Sequence, residues 1–176
     1  MANRIFLIGY MGCGKTTIGK MLARRLRARF EDTDAMVERV EGASVEDIFY
    51  YEGEEYFRSL EREVLESIEK VDELLVISTG GGLPVMGDNM KRLLDMGIVV
   101  YLERPAEQII KRLTPYGLKR RPKLAKLRPD EILGYMRGEI KERAKIYSQA
   151  QFTIGCVSLS DKAIVEEIIS NLGYGK

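Results

Sequence analysis

Five short apolar runs punctuate the chain, and helical periodicity fills the spaces between them. Ile5-Phe6-Leu7-Ile8, after Arg4, is apolar without alternation, the pattern of a strand buried on both faces. Leu74 to Ser78 and Ile98 to Leu102 repeat that pattern, and Arg29-Phe30-Glu31 and Phe152-Thr153-Ile154 are shorter runs of the same kind. Between them, Ile18, Met21, Leu22 and Leu26 recur on one face of a helix. Residues 35 to 42 predict a helix that stops at Gly42, and Ser44 with Asp47 three residues on forms a capping-box start for a short one. Phe57, Leu60, Val64, Leu65 and Ile68 predict an amphipathic helix over 54–70. Met90, Leu93, Leu94 and Met96 suggest another, as do 106–113, 129–147 and the closing set Ile164, Val165, Ile168, Ile169 and Leu172. Strands alternating with helices predict an α/β fold, a parallel sheet of five strands covered by helices on both faces. No repeat or linker interrupts it, so residues 1–176 are expected to form one domain.

Ligands of such sheets bind beyond the C-terminal ends of the strands. The first strand ends there in Gly9-Tyr10-Met11-Gly12-Cys13-Gly14-Lys15-Thr16-Thr17, which fits G-x-x-x-x-G-K-[ST], the phosphate-binding loop. Glycines allow a turn whose N–H groups point inward, and with the next helix N-terminus they cradle phosphate. Lys15 is placed to reach the outer phosphates, and the Thr16 hydroxyl to meet Mg²⁺. Strand, loop and helix occur in the order the motif requires. Asp32-Thr33-Asp34, Gly80-Gly81-Gly82 and the 103–105 turn fall on the same rim.

Composition narrows the partners. The chain is 45% hydrophobic and 31% charged with a net charge of +1, and no apolar run approaches a membrane span. With the N-terminus leading directly into the first strand, no signal peptide is expected and a cytoplasmic location is. There is no histidine, which excludes His-based acid, base or metal chemistry, and Cys13 and Cys156 do not make a disulfide framework. Eight basic residues and no acid lie between Lys111 and Arg128. Within that stretch 114–127, with Pro115, Gly117 and Pro122, predicts a mobile lid over phosphates. The rival, a nucleic-acid patch, lacks interleaved aromatics apart from Tyr116.

A GTPase-like switch would carry Asn-Lys-x-Asp and an acid after the strand at 74–78; neither is present. The acids stand at the end of the second strand instead, which favours adenine over guanine and transfer to a small acceptor. Asp32-Thr33-Asp34, Gly53-Glu54-x-x-Phe57-Arg58, Gly80-Gly81-Gly82, Arg121-Pro122, and Arg143 four residues before Tyr147 together resemble the shikimate kinase family in order and approximate spacing.

That resemblance implies a three-layer α/β/α P-loop kinase fold and transfer of the γ-phosphoryl of ATP to the 3-hydroxyl of shikimate, with Mg²⁺, by a monomer that binds neither nucleic acid nor membrane. It implies Lys15, Asp34 and Arg121 as catalytic residues, Asp34 binding the acceptor hydroxyls as candidate base and Arg121 sitting in the lid. ATP falls to Gly12, Cys13, Gly14, Lys15, Thr16, Thr17, Arg112 and Arg121, with Arg112 beside adenine. Mg²⁺ falls to Thr16 and Asp32. Shikimate falls to a region at about 33–61 with the glycine run: Arg58 and Arg143 on its carboxylate, Gly80, Gly81 and Gly82 against its ring, and Phe49 and Phe57 lining the pocket. Two places depart from the family pattern. The lid reads Arg121-Pro122-Lys123-Leu124 in a slightly longer loop, and the loop 155–160 lacks the basic residue the family often sets beside adenine.

Each assignment has a plainer alternative. Asp34 would serve as an N-cap, Arg58 as a solvated helix charge, the glycine run as a simple turn, and Phe49 and Phe57 as core. Arg143 is selected by the family pattern alone. Another small-acceptor kinase, for gluconate or a nucleoside monophosphate, is the nearest rival, and a non-catalytic ATP-binding regulator the rival from another class.

Overall fold

The computed structural model describes residues 3–114 and 122–173. Its centre is a five-stranded, wholly parallel sheet in the order β2-β3-β1-β4-β5, formed by β1 (Arg4–Ile8), β2 (Arg29–Asp32), β3 (Leu75–Ser78), β4 (Ile98–Glu103) and β5 (Phe152–Gly155). The helices are α1 (Lys15–Leu26), α2 (Thr33–Glu41), α3 (Val45–Tyr51), α4 (Gly53–Glu69), α5 (Asn89–Met96), α6 (Ala106–Arg112), α7 (Pro122–Ala125), α8 (Pro129–Tyr147) and α9 (Asp161–Asn171), with a 3₁₀ turn at Leu83–Val85.

The pleat of β1 divides the core. Ile5 and Leu7 join Val76, Val100 and Leu102 in a cluster closed by Ile18 and Leu22 of α1 and Ile164 and Ile168 of α9. Phe6 and Ile8 face the other way, with Leu75, Ile77, Val99 and Tyr101, against Leu60, Val64, Leu65 and Ile68 of α4 and Leu93 of α5. Burying each large aliphatic or aromatic side chain contributes roughly 1.5–3 kcal/mol. A central strand apolar on both faces is therefore stable only between two helical layers.

Most elements fall where periodicity puts them, and three differences have local causes. Helix α2 begins at Thr33, earlier than its apolar pattern suggests, because Asp32 caps it: the carboxylate accepts from the N–H groups of Asp34 (3.1 Å) and Ala35 (3.4 Å). Asp34 is thus in the first turn, and the capping role belongs to its neighbour. The stretch after Gly80–Gly82 adds a 3₁₀ turn, too short to carry a period. Residues 122–125 are helical within the segment predicted as a lid; residues 115–121 of that segment, including Arg121, lie outside the described residues. The capping pattern at Ser44 is present, its hydroxyl accepting from Asp47 N at 3.1 Å.

Candidate active site

The rim of the sheet holds a cleft of about 430 Å³ lined by Met11, Gly12, Gly14, Lys15, Thr16, Thr17, Asp32, Asp34, Ser78, Thr79, Gly81 and Arg112, among others. The phosphate-binding loop forms one wall. Gly12 has φ 75°, and a Cβ there would meet Ile109 and Leu113 side chains at 3.0 Å, so the loop follows this path only with glycine at that position. Lys15 is buried, its Nζ donating to the carbonyls of Gly9 at 2.8 Å and Tyr10 at 3.0 Å. The Cys13 thiol is fully buried and does not line the cleft, so this residue can offer phosphate only its backbone. Arg112 leans over the loop, with Nη2 3.6 Å from where a Cβ of Gly14 would stand, and lies 3.9 Å from Asp161.

Parallel register brings the oxygens of Thr16, Asp32 and Ser78 together. Ser78 of β3 is aligned with both Leu7 of β1 and Asp32 of β2. The Thr16 hydroxyl, at the start of α1, donates to Asp32 Oδ2 at 3.0 Å and lies 3.5 Å from Ser78 Oγ. The Asp32 carboxylate therefore caps α2 with one oxygen and meets Thr16 with the other.

The opposite side of the site is built on the glycine run. A Cβ on Gly80 would stand 2.4 Å from Asp34 Oδ1, and one on Gly82 would stand 3.1 Å from both terminal nitrogens of Arg58. A Cβ on Gly81 would lie 3.6 Å from Arg143 Nη1. Three bare backbone units thus mark the place where Asp34 from α2, Arg58 from α4 and Arg143 from α8 converge. The run is held in place by Thr33 Oγ1, which accepts from Gly80 N at 2.8 Å, and by the Gly81 carbonyl, which accepts from Arg143 Nη1 at 3.1 Å and from the Tyr147 hydroxyl at 2.5 Å.

Each arginine is fixed by glutamate on its own helix. Arg58 donates to Glu61 at 2.6 Å and Glu54 at 2.8 Å; Arg143 donates to Glu139 at 2.5 Å. Phe57 lies under the Arg58 guanidinium at 5.4 Å, and Tyr10 under that of Arg143 at 5.2 Å. Burial is the main cause of the acids' perturbation. Asp34 is pushed up to about 6 by desolvation and then by the Asp32 charge, with Lys15 opposing. Glu61, 2% exposed, is pushed up to about 7 by desolvation, against the pull of Arg58.

The chain as a whole is similar to known proteins. A sequence model of shikimate kinase matches residues 11–173. The chain is 39% identical over 170 residues to the shikimate kinase of Persephonella marina, covering 97% of this chain and 99% of that one. It is 40% identical over 170 residues to that of Azobacteroides pseudotrichonymphae, covering 97% of each. The chain belongs to the shikimate kinase family. A solved shikimate kinase from Acinetobacter baumannii, in complex with shikimate, superposes with a TM-score of 0.87 at 34% identity, covering 98% of this chain and 94% of that one. A deoxyadenosine kinase from M. mycoides shares the fold alone, at TM-score 0.62 and 15% identity.

Within this family frame, the residues expected at the site divide into groups. Gly12, Gly14, Lys15, Thr16, Thr17, Asp32, Asp34, Gly81 and Arg112 line the cleft directly. Gly80, Gly82, Arg58 and Arg143 adjoin it through the contacts above. Phe49 and Phe57 stack on each other at 4.6 Å, and neither lines the cleft; Phe57 is core and supports Arg58 from behind. Sequence reasoning passed over Met11, Ser78, Glu61 and Glu139. Glu61 had a legible signal: it falls on the apolar face of α4, four after Phe57 and four before Leu65, where a solvated charge has no place.

Proposed function

We propose that the protein transfers the γ-phosphoryl of ATP to the 3-hydroxyl of shikimate, giving shikimate 3-phosphate and ADP, a step of chorismate and aromatic amino-acid biosynthesis. One observation carries the substrate: two arginines from separate helices, each side chain 16% exposed, converge with Asp34 on three consecutive glycines. A compact acceptor with a carboxylate at one end and hydroxyls at the other is complementary to that arrangement, because arginine forks match carboxylates.

Phosphoryl transfer asks the protein for alignment and charge neutralisation more than for covalent chemistry. The loop N–H groups and Lys15 would hold the β- and γ-phosphates, Lys15 exchanging its carbonyl partners for charged oxygens. Arg112 would flank the adenine. Arg121, in the 114–127 lid and outside the described residues, is assigned to the phosphates by family resemblance. Asp34 would accept a hydrogen bond from the attacking hydroxyl; a carboxylate raised toward neutrality is a stronger base than an ordinary one and is still ionised at pH 7 and above.

The donor set fits Mg²⁺. Thr16 and Asp32 offer a hydroxyl and a carboxylate, both oxygen, and no group of three or more acids, histidines or cysteines is placed to hold a metal ion among the described residues. Mg²⁺ is held in that manner, by one or two protein oxygens with substrate phosphates and water. When bound there, the ion would supply positive charge to offset that of the phosphates. No helix among the described residues is long and apolar enough to cross a membrane. We assign a monomer acting in the cytoplasm on small molecules.

An ADP-release assay tests this reading with shikimate, gluconate, a nucleoside monophosphate and no acceptor, each with and without Mg²⁺. Turnover is expected with shikimate and Mg²⁺ alone. Equal turnover with gluconate, or with water, would overturn the substrate assignment.

A further inference from the structure

Arg104 sits in the turn between β4 and α6, behind the phosphate-binding loop, and is 7% exposed. Its Nε donates to the Cys13 carbonyl at 3.0 Å and its Nη1 to Gln108 Oε1 at 3.1 Å. Gln108 in turn donates to the Val157 carbonyl at 2.8 Å, in the loop that follows β5. Nη2 is buried and has no hydrogen-bond partner among the described residues. Among the described residues no carboxylate pairs with this guanidinium, whereas Arg58 and Arg143 each have glutamate partners. The nearby Cys156 thiol supplies no anion either, since burial pushes it up to about 11 despite the pull of Arg104. A buried cation without an anion is costly, and carbonyl oxygens compensate it only in part.

We infer that Arg104 is a positioning residue of the donor site, anchoring the phosphate-binding loop by the Cys13 carbonyl and lending its unmatched charge to the phosphates of the nucleotide. The inference rests on the reading of that loop as an ATP site. Two physical arguments support it. The peptide is trans, so its C=O and N–H point in opposite directions. Tying the Cys13 carbonyl back to Arg104 therefore turns the Gly14 N–H away from Arg104, and Gly14 lines the cleft. The charge is also directed: a guanidinium with no counterion stands directly behind a loop shaped for a polyanion. Through Gln108 the same side chain ties the loop to the 156–160 segment, at the end of the cleft where Arg112 meets Asp161. The sequence placed the 103–105 turn on the rim but marked no residue in it.

The test is calorimetric binding of ADP and of adenosine to wild type, Arg104→Gln and Arg104→Lys, with thermal unfolding of each in the absence of nucleotide. Arg104→Gln is expected to weaken ADP by about tenfold or more, the scale of one partly buried charge acting on phosphate. Arg104→Lys, which keeps the charge, is expected to stay within about threefold of wild type. Adenosine, having no phosphate, should bind all three proteins alike, and the KM for shikimate should hold. The nucleotide-free Gln variant should melt no lower than wild type, because it lacks the uncompensated charge. ADP binding unchanged in Arg104→Gln overturns the inference. So does an equal loss in the Lys and Gln variants, which would leave geometry without charge. A Gln variant that melts lower or fails to fold makes Arg104 a structural strut, and overturns it too. Wild type that binds no ADP would sink the kinase reading as well; wild type that binds ADP while Arg104→Gln binds it equally sinks this inference alone.

Discussion

Glu61 offers a sharp test of the site's electrostatics, because its burial has opposite consequences for stability and for function. The carboxyl is 2% exposed, bonded to Arg58 at 2.6 Å, and pushed up to about 7. The folded state therefore keeps a proton that the unfolded chain has lost. Between roughly pH 4.5 and 7 folding takes up that proton, so stability falls as pH rises through the window. A rise from 4.5 to about 7 corresponds to up to about 3 kcal/mol. Glu61→Gln keeps an acceptor for Arg58 and removes the titration. Urea unfolding from pH 4.5 to 8 should show wild type losing up to ~3 kcal/mol relative to the variant as pH rises. Asp34, raised in the same direction, contributes to both proteins and largely cancels in the difference. The functional cost goes the other way. With glutamine at 61, Glu54, whose side chain is 53% exposed, is the one charged partner left to Arg58 among the described residues, and the KM for shikimate should rise while that for ATP holds. Parallel stability curves for wild type and Glu61→Gln would refute the reasoning, since Glu61 would then titrate as an ordinary surface glutamate.

Lys15→Ala and Asp34→Asn should each nearly abolish transfer. The first should impair ATP binding and the second should leave ADP binding intact; ordinary turnover in Asp34→Asn would remove it from the chemistry. Gly80→Ala should lower kcat/KM for shikimate by about tenfold or more, since its Cβ would stand 2.4 Å from Asp34 Oδ1 and must displace that carboxylate. Neither Cys13 nor Cys156 should react with a thiol reagent in the native protein, because both are buried; rapid labelling without denaturant would contradict the loop geometry.

The sheet and the donor site were legible because their signals are local. An unalternating run such as Ile5 to Ile8 has one stable environment, and a glycine loop before Lys15 and Thr16 specifies a phosphate cradle by itself. The acceptor site is assembled from distant parts. Arg143 is one charge among many on α8, and Glu139 one turn before it reads as an ordinary surface pair. Only the fold shows that Arg143 stands against Gly81, with Glu139 fixing its guanidinium. Asp34 lines the cleft and Asp32 is the cap, a division the sequence leaves open because a strand ending in two acids does not say which of them meets the helix N-terminus. Arg104 has no periodicity or motif around it; its burial comes from packing the β4–α6 turn behind a loop some ninety residues earlier.

The central claim is that this site reads a carboxylate. The most direct measurement is kcat/KM for shikimate against an acceptor with the same ring hydroxyls and no carboxylate, in wild type, Arg58→Ala and Arg143→Ala. A hydrogen bond to a charged group contributes roughly 1.5–3 kcal/mol, and each ~1.4 kcal/mol is tenfold. Wild type should prefer shikimate by about a hundredfold or more, because the neutral acceptor offers the two arginines no substrate carboxylate to bind. Each alanine variant should lose about tenfold to a hundredfold on shikimate, and little on the neutral acceptor, so that the preference shrinks. Equal use of both acceptors by wild type would contradict the account and leave a small-molecule kinase whose acceptor is something else.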